Sequence, residues 1–293
     1  SQNAFREDFF FAFIFRRNPA DKLSMVDETR LYYEHEWFNG FQNTFNVIHR
    51  NLYPIGDSKF EYYPTPDSTV DQNALTTTEV RLSTRLAYKE RFLMGEFERV
   101  SLGAKFPILE IAYGYGIPDR LGGEFEYHKL QLRLSHWFNL ANFGWSKYVL
   151  ETGRIWGTLP YPLLKLHEGN ETFFFDEYAF NLMNYYEFVS DRYISAYYTH
   201  HFDGYFFNRV PLLRKLKWRE VAFIKGLAGG IGDNNRTYSV FPENTSFLDK
   251  PYFEAGAGVE NIFKFLRVDA IWRLSYLDHP NITPFGLMMS MQF

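Results

Sequence analysis

Apolar and polar residues alternate one for one over long stretches of this chain. A period of two leaves room for little but extended strands with one apolar and one polar face. The pattern is clearest at the end, where Phe285, Leu287, Met289, Met291 and Phe293 alternate with Pro284, Gly286, Met288, Ser290 and Gln292. Just upstream, Leu266, Val268, Ala270, Trp272, Leu274 and Tyr276 oppose Arg267, Asp269, Ile271, Arg273 and Ser275, with Ile271 alone out of pattern. Leu31, Tyr33 and Trp37 oppose Arg30, Glu34 and Glu36, and Val80, Leu82, Leu86 and Tyr88 oppose Glu79, Arg81, Ser83 and Arg85. The same holds for Leu109 to Tyr115, for Leu130 to Phe138 against Lys129, Gln131 and Arg133, and for Phe253 to Phe263 against Glu254 and Glu260. Less regular candidates lie near 5–16, 41–51, 144–154, 190–203 and 217–229. Together these make about twelve strands of roughly 10 to 14 residues, longer than ordinary sheet strands and as long as a tilted membrane strand must be.

Composition narrows the class further. Aromatic residues make up 20% of the chain at a mean hydropathy of −0.33, so the apolar surface is concentrated in rings set among polar residues. Such a ring content excludes low-complexity disorder. The longest apolar run, about seven residues from Phe9 to Phe15, excludes a helical membrane span but leaves a β-barrel open, since only alternate barrel residues are apolar. With no cysteine there is no disulfide, thiolate zinc site or cysteine nucleophile, and the redox compartment is undetermined. A formal charge of −4 gives no general attraction for nucleic acid. The start, Ser1 to Arg6, lacks the features of a signal peptide, so the chain reads as a mature protein or a piece of a longer one.

These observations predict an antiparallel transmembrane β-barrel occupying 1–293 as one domain, bathed in outer-membrane lipid. If the last strand ends at the inner rim, the inner links fall near 38–40, 89–105, 139–143, 204–216 and 264–265. The outer links fall near 17–23, 52–74, 117–123, 155–188, 230–251 and 277–282. The three longest are then all outer and the three shortest all inner, as in bacterial outer-membrane barrels. A soluble sandwich gives the same alternation with the apolar face buried and the charged face exposed. Strand length and the rings at strand ends, such as Trp37, Tyr88, Phe138, Phe263 and Tyr276, favour the membrane alternative.

The blocks 157–164, 167–172, 179–193, 201–204, 207–220 and 259–264 carry Pro160, Pro162, His167, Asn181, Asp191, Arg192, Tyr193, Asp203, Arg209 and Asn261. In these the chain resembles a Bacteroidota outer-membrane barrel family of unknown function whose members bear an N-terminal carboxypeptidase-regulatory-like domain. The resemblance implies that this is the C-terminal barrel portion of such a protein. The alternation closing on Phe285, Leu287, Met289, Met291 and Phe293 resembles the signal read by the barrel-assembly machinery, which makes that machinery an expected partner. A more distant likeness is to the BamA/TamA surface-antigen superfamily, in which a long loop before the last five strands folds into the barrel with an arginine motif against the wall. Here the loop 155–188 precedes five expected strands, and Asp191, Arg192 and Tyr193 at its end are the expected loop-to-wall contacts. The superfamily's Arg-Gly pair is absent, so an insertase role does not carry over.

No catalytic motif emerges. His167-Glu168 and His200-His201 lack a second ligand pair at metal spacing, and Asp233-Asn234-Asn235 lacks the spaced acids of a calcium loop. No nucleophile elbow is present, and neither cofactor nor metal is expected. Arg30, Glu34, Arg81, Arg133, Asp269 and Arg273 are expected on the lumen face, where mixed signs favour wall bracing over ion steering. The basic stretches Arg16-Arg17 and 214–219 suit anionic lipid, a partner or a solvated turn. The expected role is therefore a non-enzymatic subunit or anchor of an envelope assembly, transport or secretion complex, with other envelope proteins as partners. A small-solute channel and an outer-membrane hydrolase are the alternatives.

Overall fold

The computed structural model describes residues 24–55, 59–65, 68–95 and 99–291. The expected strand near 5–16, the Arg16-Arg17 pair and Phe293 lie outside the described residues. Eleven long strands form a single antiparallel sheet. They are β1(Ser24–Phe38), β2(Phe41–Pro54), β5(Leu75–Leu86), β8(Ile108–Gly116), β9(Tyr127–Asn139), β10(Trp145–Trp156), β13(Arg192–His201), β14(Arg219–Gly230), β15(Tyr252–Ile262), β16(Leu266–Arg273) and β17(Phe285–Met291). Each pairs with the next in that order, and β1 and β17 are the two edges, so the sheet is not closed among the described residues. Two hairpins, β3(Phe60–Thr65) with β4(Ser68–Gln72) and β6(Glu90–Met94) with β7(Arg99–Ala104), stand inside segments expected as plain links. A two-residue pair, β11(Lys165–Leu166) with β12(Val189–Ser190), closes the neck of the longest link.

Consecutive antiparallel strands put their links at alternate ends of the sheet. Links 39–40, 87–107, 140–144, 202–218 and 263–265 share one rim, and links 55–74, 117–126, 157–191, 231–251 and 274–284 share the other. Among the described residues helix is confined to short turns, Pro211–Leu216 and Asp233–Tyr238 being the two α-helical ones.

Burial on β14 to β17 is the reverse of a soluble sandwich. On β14 to β17 the charged face is covered: Lys225 is 2% exposed, Glu254 and Asp269 0%, and Arg273 3%. The apolar face is open, with Ile224 at 46%, Phe253 at 42%, Trp272 at 45% and Leu287 at 60%. The apolar alternation expected to run through Tyr276 stops at Arg273. Tyr276 takes a positive φ of 53° and folds inward, where its hydroxyl accepts from the Lys250 amide at 2.9 Å.

Strand glycines are matched to rings. Gly116 pairs with Tyr127, Gly153 with Tyr193, and Gly226 and Gly256 with Phe253 and Phe223. In each case a Cβ on the glycine would lie 2.2 to 2.8 Å from the partner's ring. The ring thus covers backbone that would otherwise be bare, a known device for glycine in sheets.

The apolar core forms at the long-link rim and beneath the longest link, not between two sheets. At the rim, Phe60 and Tyr62 of the β3–β4 hairpin pack with Phe125, Leu159, Tyr161 and Leu164. Main-chain bonds from Val240 to Glu61 (3.0 Å) and from Leu159 to the Asn235 side chain (2.9 Å) tie three links into one cap.

Candidate functional site

Link 157–191 lies against the charged face of β13 to β17, and its main chain is read by side chains of both signs. The amides of Asn181 and Leu182 donate to the two Glu254 oxygens at 2.8 and 3.0 Å. The Lys225 ammonium donates to the carbonyls of Asp176 and Ala179 at 2.7 and 2.6 Å. Tyr252 adds a hydroxyl bond to Glu254 at 3.2 Å. Lys225 and Glu254 themselves stand 4.0 Å apart, so each ion faces the other as well as the peptide groups it binds. Hydrogen bonds with one charged partner are the stronger kind, roughly 1.5–3 kcal/mol each.

A second fastening closes the far end of the link. Arg273 donates to both oxygens of Glu187, at 2.9 and 2.5 Å, and to the carbonyls of Leu182, Ser275 and Tyr276 at 3.0 to 3.2 Å. Glu187 also accepts from the Asn184 amide at 3.0 Å and lies 3.1 Å from His279 Nδ1. Burial alone would raise the Glu187 carboxyl; the Arg273 guanidinium and these further bonds outweigh it and hold the carboxyl below its usual range.

Apolar contacts fill the space between the two fastenings. Leu182 packs with Phe223, Ile271 and Met288, and Phe180, Met183 and Phe188 pack with Leu227, Tyr252 and Tyr276. The one residue out of pattern in the segment 266–276, Ile271, is thereby accounted for. It is apolar on a charged face because Leu182 sits on it.

The link also touches an edge of the sheet. Met289 of β17 donates its amide to the Phe173 carbonyl at 3.0 Å and accepts from the Phe175 amide at 2.8 Å. One residue of parallel pairing, Phe174 with Met289, therefore occupies the side of β17 that faces away from β16.

The expected loop-to-wall residues divide by role. Asp191 accepts from the Gly232 amide (2.6 Å) and the Asn235 side chain (3.1 Å), which fastens the neighbouring link 231–251. Tyr193 donates to Glu151 at 2.5 Å and accepts from Gln131 at 3.3 Å, with the His167 ring edge-on at 5.3 Å. Arg192 is exposed and, among the described residues, its ion pair is with Asp191, at 3.3 Å. Of the expected wall residues, Asp269 is chelated by Arg267 two positions away at 2.8 Å, Arg81 by Glu79 at 2.6 Å, and Arg30 by Glu28 at 2.6 Å. Arg133 faces Glu110 across the strands at 3.8 Å, and Glu34 accepts from Thr44 at 3.5 Å. Pairing thus runs along strands as often as across them. Phe285, Leu287, Met289 and Met291 form the exposed face of β17.

The histidines have ordinary partners. His167 contacts Ser190 at 3.0 Å, with burial and Lys165 holding its imidazole well below the usual range. His200 contacts Ser146 at 2.8 Å and His201 contacts Glu260 at 2.9 Å. Among the described residues no group of three or more acidic or histidine side chains is placed to hold a metal. Sequence reasoning missed Lys225, Glu254 and Glu187 as the residues that seat the link. Their signal was indirect: Phe223, Leu227, Ile271 and Met288 are apolar residues on the face that elsewhere carries charge.

The chain belongs to the family of unknown function DUF5686, whose C-terminal domain model matches residues 7–239. No curated protein matches the sequence. Among solved structures, BamA from Haemophilus ducreyi lacking POTRA domains 1–3 is similar at a TM-score of 0.53 and 8% identity, over 92% of this chain and 55% of that one. The chain thus spans about half of that structure, and the likeness concerns fold alone. OccK11 (OpdR) of Pseudomonas aeruginosa aligns over 90% of this chain and 67% of that one at 9% identity, with a TM-score of 0.33, too weak to bear on the fold.

Proposed function

We propose that this chain is a bacterial outer-membrane β-barrel whose interior is closed by link 157–191, and that it serves as a non-enzymatic subunit or anchor of an envelope assembly, transport or secretion complex. The observation that carries this reading is the reversed burial, with Lys225, Glu254, Asp269 and Arg273 covered while Ile224, Phe253, Trp272 and Leu287 are open. In water such an arrangement would leave a wide apolar surface unpaid for by burial; in lipid it is the favourable one. The link's fastenings support a closed interior, because two buried ions of each sign would lose partners if it left. With the reading come the implications of the sequence resemblance: a Bacteroidota source, and a carboxypeptidase-regulatory-like domain ahead of this region in the longer protein.

Two measurements test it. The protein is expected to require detergent and to migrate differently boiled and unboiled; a monodisperse chain in plain buffer with identical migration would overturn the membrane reading. In planar bilayers the wild type is expected to pass little current, and replacement of 171–186 by a short Gly-Ser linker to give large steady currents. Large steady currents from the wild type would favour a solute channel instead. Stable partners recovered from native membranes would support the role in a complex.

A further inference from the structure

The two rims of the sheet carry opposite charge. Counted over the described residues of the links at the rim of 39–40, 87–107, 140–144, 202–218 and 263–265, there are nine Lys and Arg against two Asp and Glu, a net of +7. The described residues of the links at the opposite rim hold five Lys and Arg against fifteen Asp and Glu, a net of −10. A chain with an overall charge of only −4 is therefore strongly polarised along its strands.

The positive rim is also shaped for an interface. The short helix Pro211–Leu216 shows solvent Leu212 and Leu216, one turn apart on one side, with Arg214 and Lys215 beside them and Lys217 at its end. On the adjoining link Phe263, at 78% exposed, and Phe265 flank Lys264. Among the described residues Arg214, Lys215, Lys217 and Lys264 make no ion pair with any carboxylate. Their charge is unspent on the protein itself, whereas Arg219 pairs with Asp203 at 3.3 Å. Exposed leucine and phenylalanine set among free cations match a surface of acyl chains beneath anionic head groups.

We propose that this rim is a docking collar for anionic phospholipid, with the helix Pro211–Leu216 lying at head-group level and Arg214, Lys215, Lys217 and Lys264 paired to phosphates. The proposal rests on the membrane reading above and deepens it. It orients the sheet, with the positive rim toward the leaflet that presents anionic phospholipid and the acidic rim away from it.

The test uses the intact protein reconstituted in bilayers containing brominated phosphatidylglycerol or brominated phosphatidylcholine, read by quenching of tryptophan fluorescence. Trp37, Trp137, Trp145 and Trp218 all lie near the positive rim and report on it. The wild type is expected to prefer phosphatidylglycerol about tenfold at low salt, falling toward parity in about 0.5 M salt. The variant Arg214→Gln, Lys215→Gln, Lys217→Gln, Lys264→Gln is expected to lose at least fivefold of that preference while keeping the heat-modifiable migration of a folded barrel. Equal quenching by both lipids in the wild type overturns the collar and leaves the membrane reading standing, as does a preference that survives the four substitutions. A rim that shows no lipid preference but retains a purified envelope protein, lost in the variant, would assign the surface to a protein partner. Failure of the wild type to enter any bilayer overturns the membrane reading and the collar with it.

Discussion

Replacing Glu187 by alanine removes one half of the fastening at the end of link 157–191. Arg273 then loses the two bonds at 2.9 and 2.5 Å and keeps only the carbonyls of Leu182, Ser275 and Tyr276. Both partners of the pair are almost completely buried, so the guanidinium has no water to turn to. Breaking such a pair from one side costs about 3–5 kcal/mol. The three remaining carbonyls place the expected cost near the lower figure. At about 1.4 kcal/mol per factor of ten, release of the link becomes roughly a hundredfold easier. Hydrogen exchange of the folded protein reads this directly. The amides of Asn181, Leu182 and Phe175 bond to Glu254 and Met289, not to Glu187, so their faster exchange reports release of the whole link and not a local loss. A double-mutant cycle with Arg273→Ala should show a coupling of at least about 2 kcal/mol. Unchanged exchange at these three amides, or additivity within about 0.5 kcal/mol, would refute the idea that this pair holds the link.

Acidification should act on the same contact. Because the Glu187 carboxyl is held below its usual range, its contribution is complete above the ordinary carboxylate value and is lost as pH falls through the lowered one; exchange of the link should rise in acid, and Glu187→Gln should flatten that dependence. Ile224→Arg, in the middle of β14 on the open apolar face, should cost about 2–4 kcal/mol of folding into vesicles if the face meets lipid at mid-depth, and an effect below about 0.5 kcal/mol would count against a lipid-facing surface. Gly144 has a φ of +92°, and a Cβ there would lie 1.9 Å from the His201 carbonyl oxygen, so Gly144→Ala should destabilise the turn between β9 and β10 by about 1–3 kcal/mol, measured as a drop in the temperature at which the heat-modifiable form is lost.

The strands were legible because one physical signal, side chains alternating between two environments, runs through each of them. Eleven expected strands have counterparts in the sheet, and the three shortest links share one rim as expected, but link 87–107 on that same rim is as long as 231–251 and longer than 55–74, because it carries the β6–β7 hairpin. The hairpins β3–β4 and β6–β7 were not legible. Strands of five or six residues are too short for alternation to stand out, and Phe60 and Tyr62 are buried in a cluster that joins neighbouring links to the strand ends Leu52, Leu75, Tyr127 and Ile155. The seating of link 157–191 was hidden for a different reason. Glu254 and Lys225 bind peptide groups, which every residue carries, so no choice of side chain at 176–182 announces the contact. What the sequence did hold was the misfit of Ile271, and its meaning appears only when Leu182 is found on it.

The pairing of Phe174 with Met289 gives the link a second office. An uncovered strand edge invites a stray chain to add to it, and here the amide and carbonyl of Met289 are already spoken for by Phe173 and Phe175. The same short stretch is tethered through Asp176 and Asn181 to Lys225 and Glu254. The cover of the charged face and the guard of the edge are thus one piece of chain. A force that draws the link off Lys225 and Glu254 also strips the guard from the last strand, so the seat on the charged face and the edge of this sheet are released together.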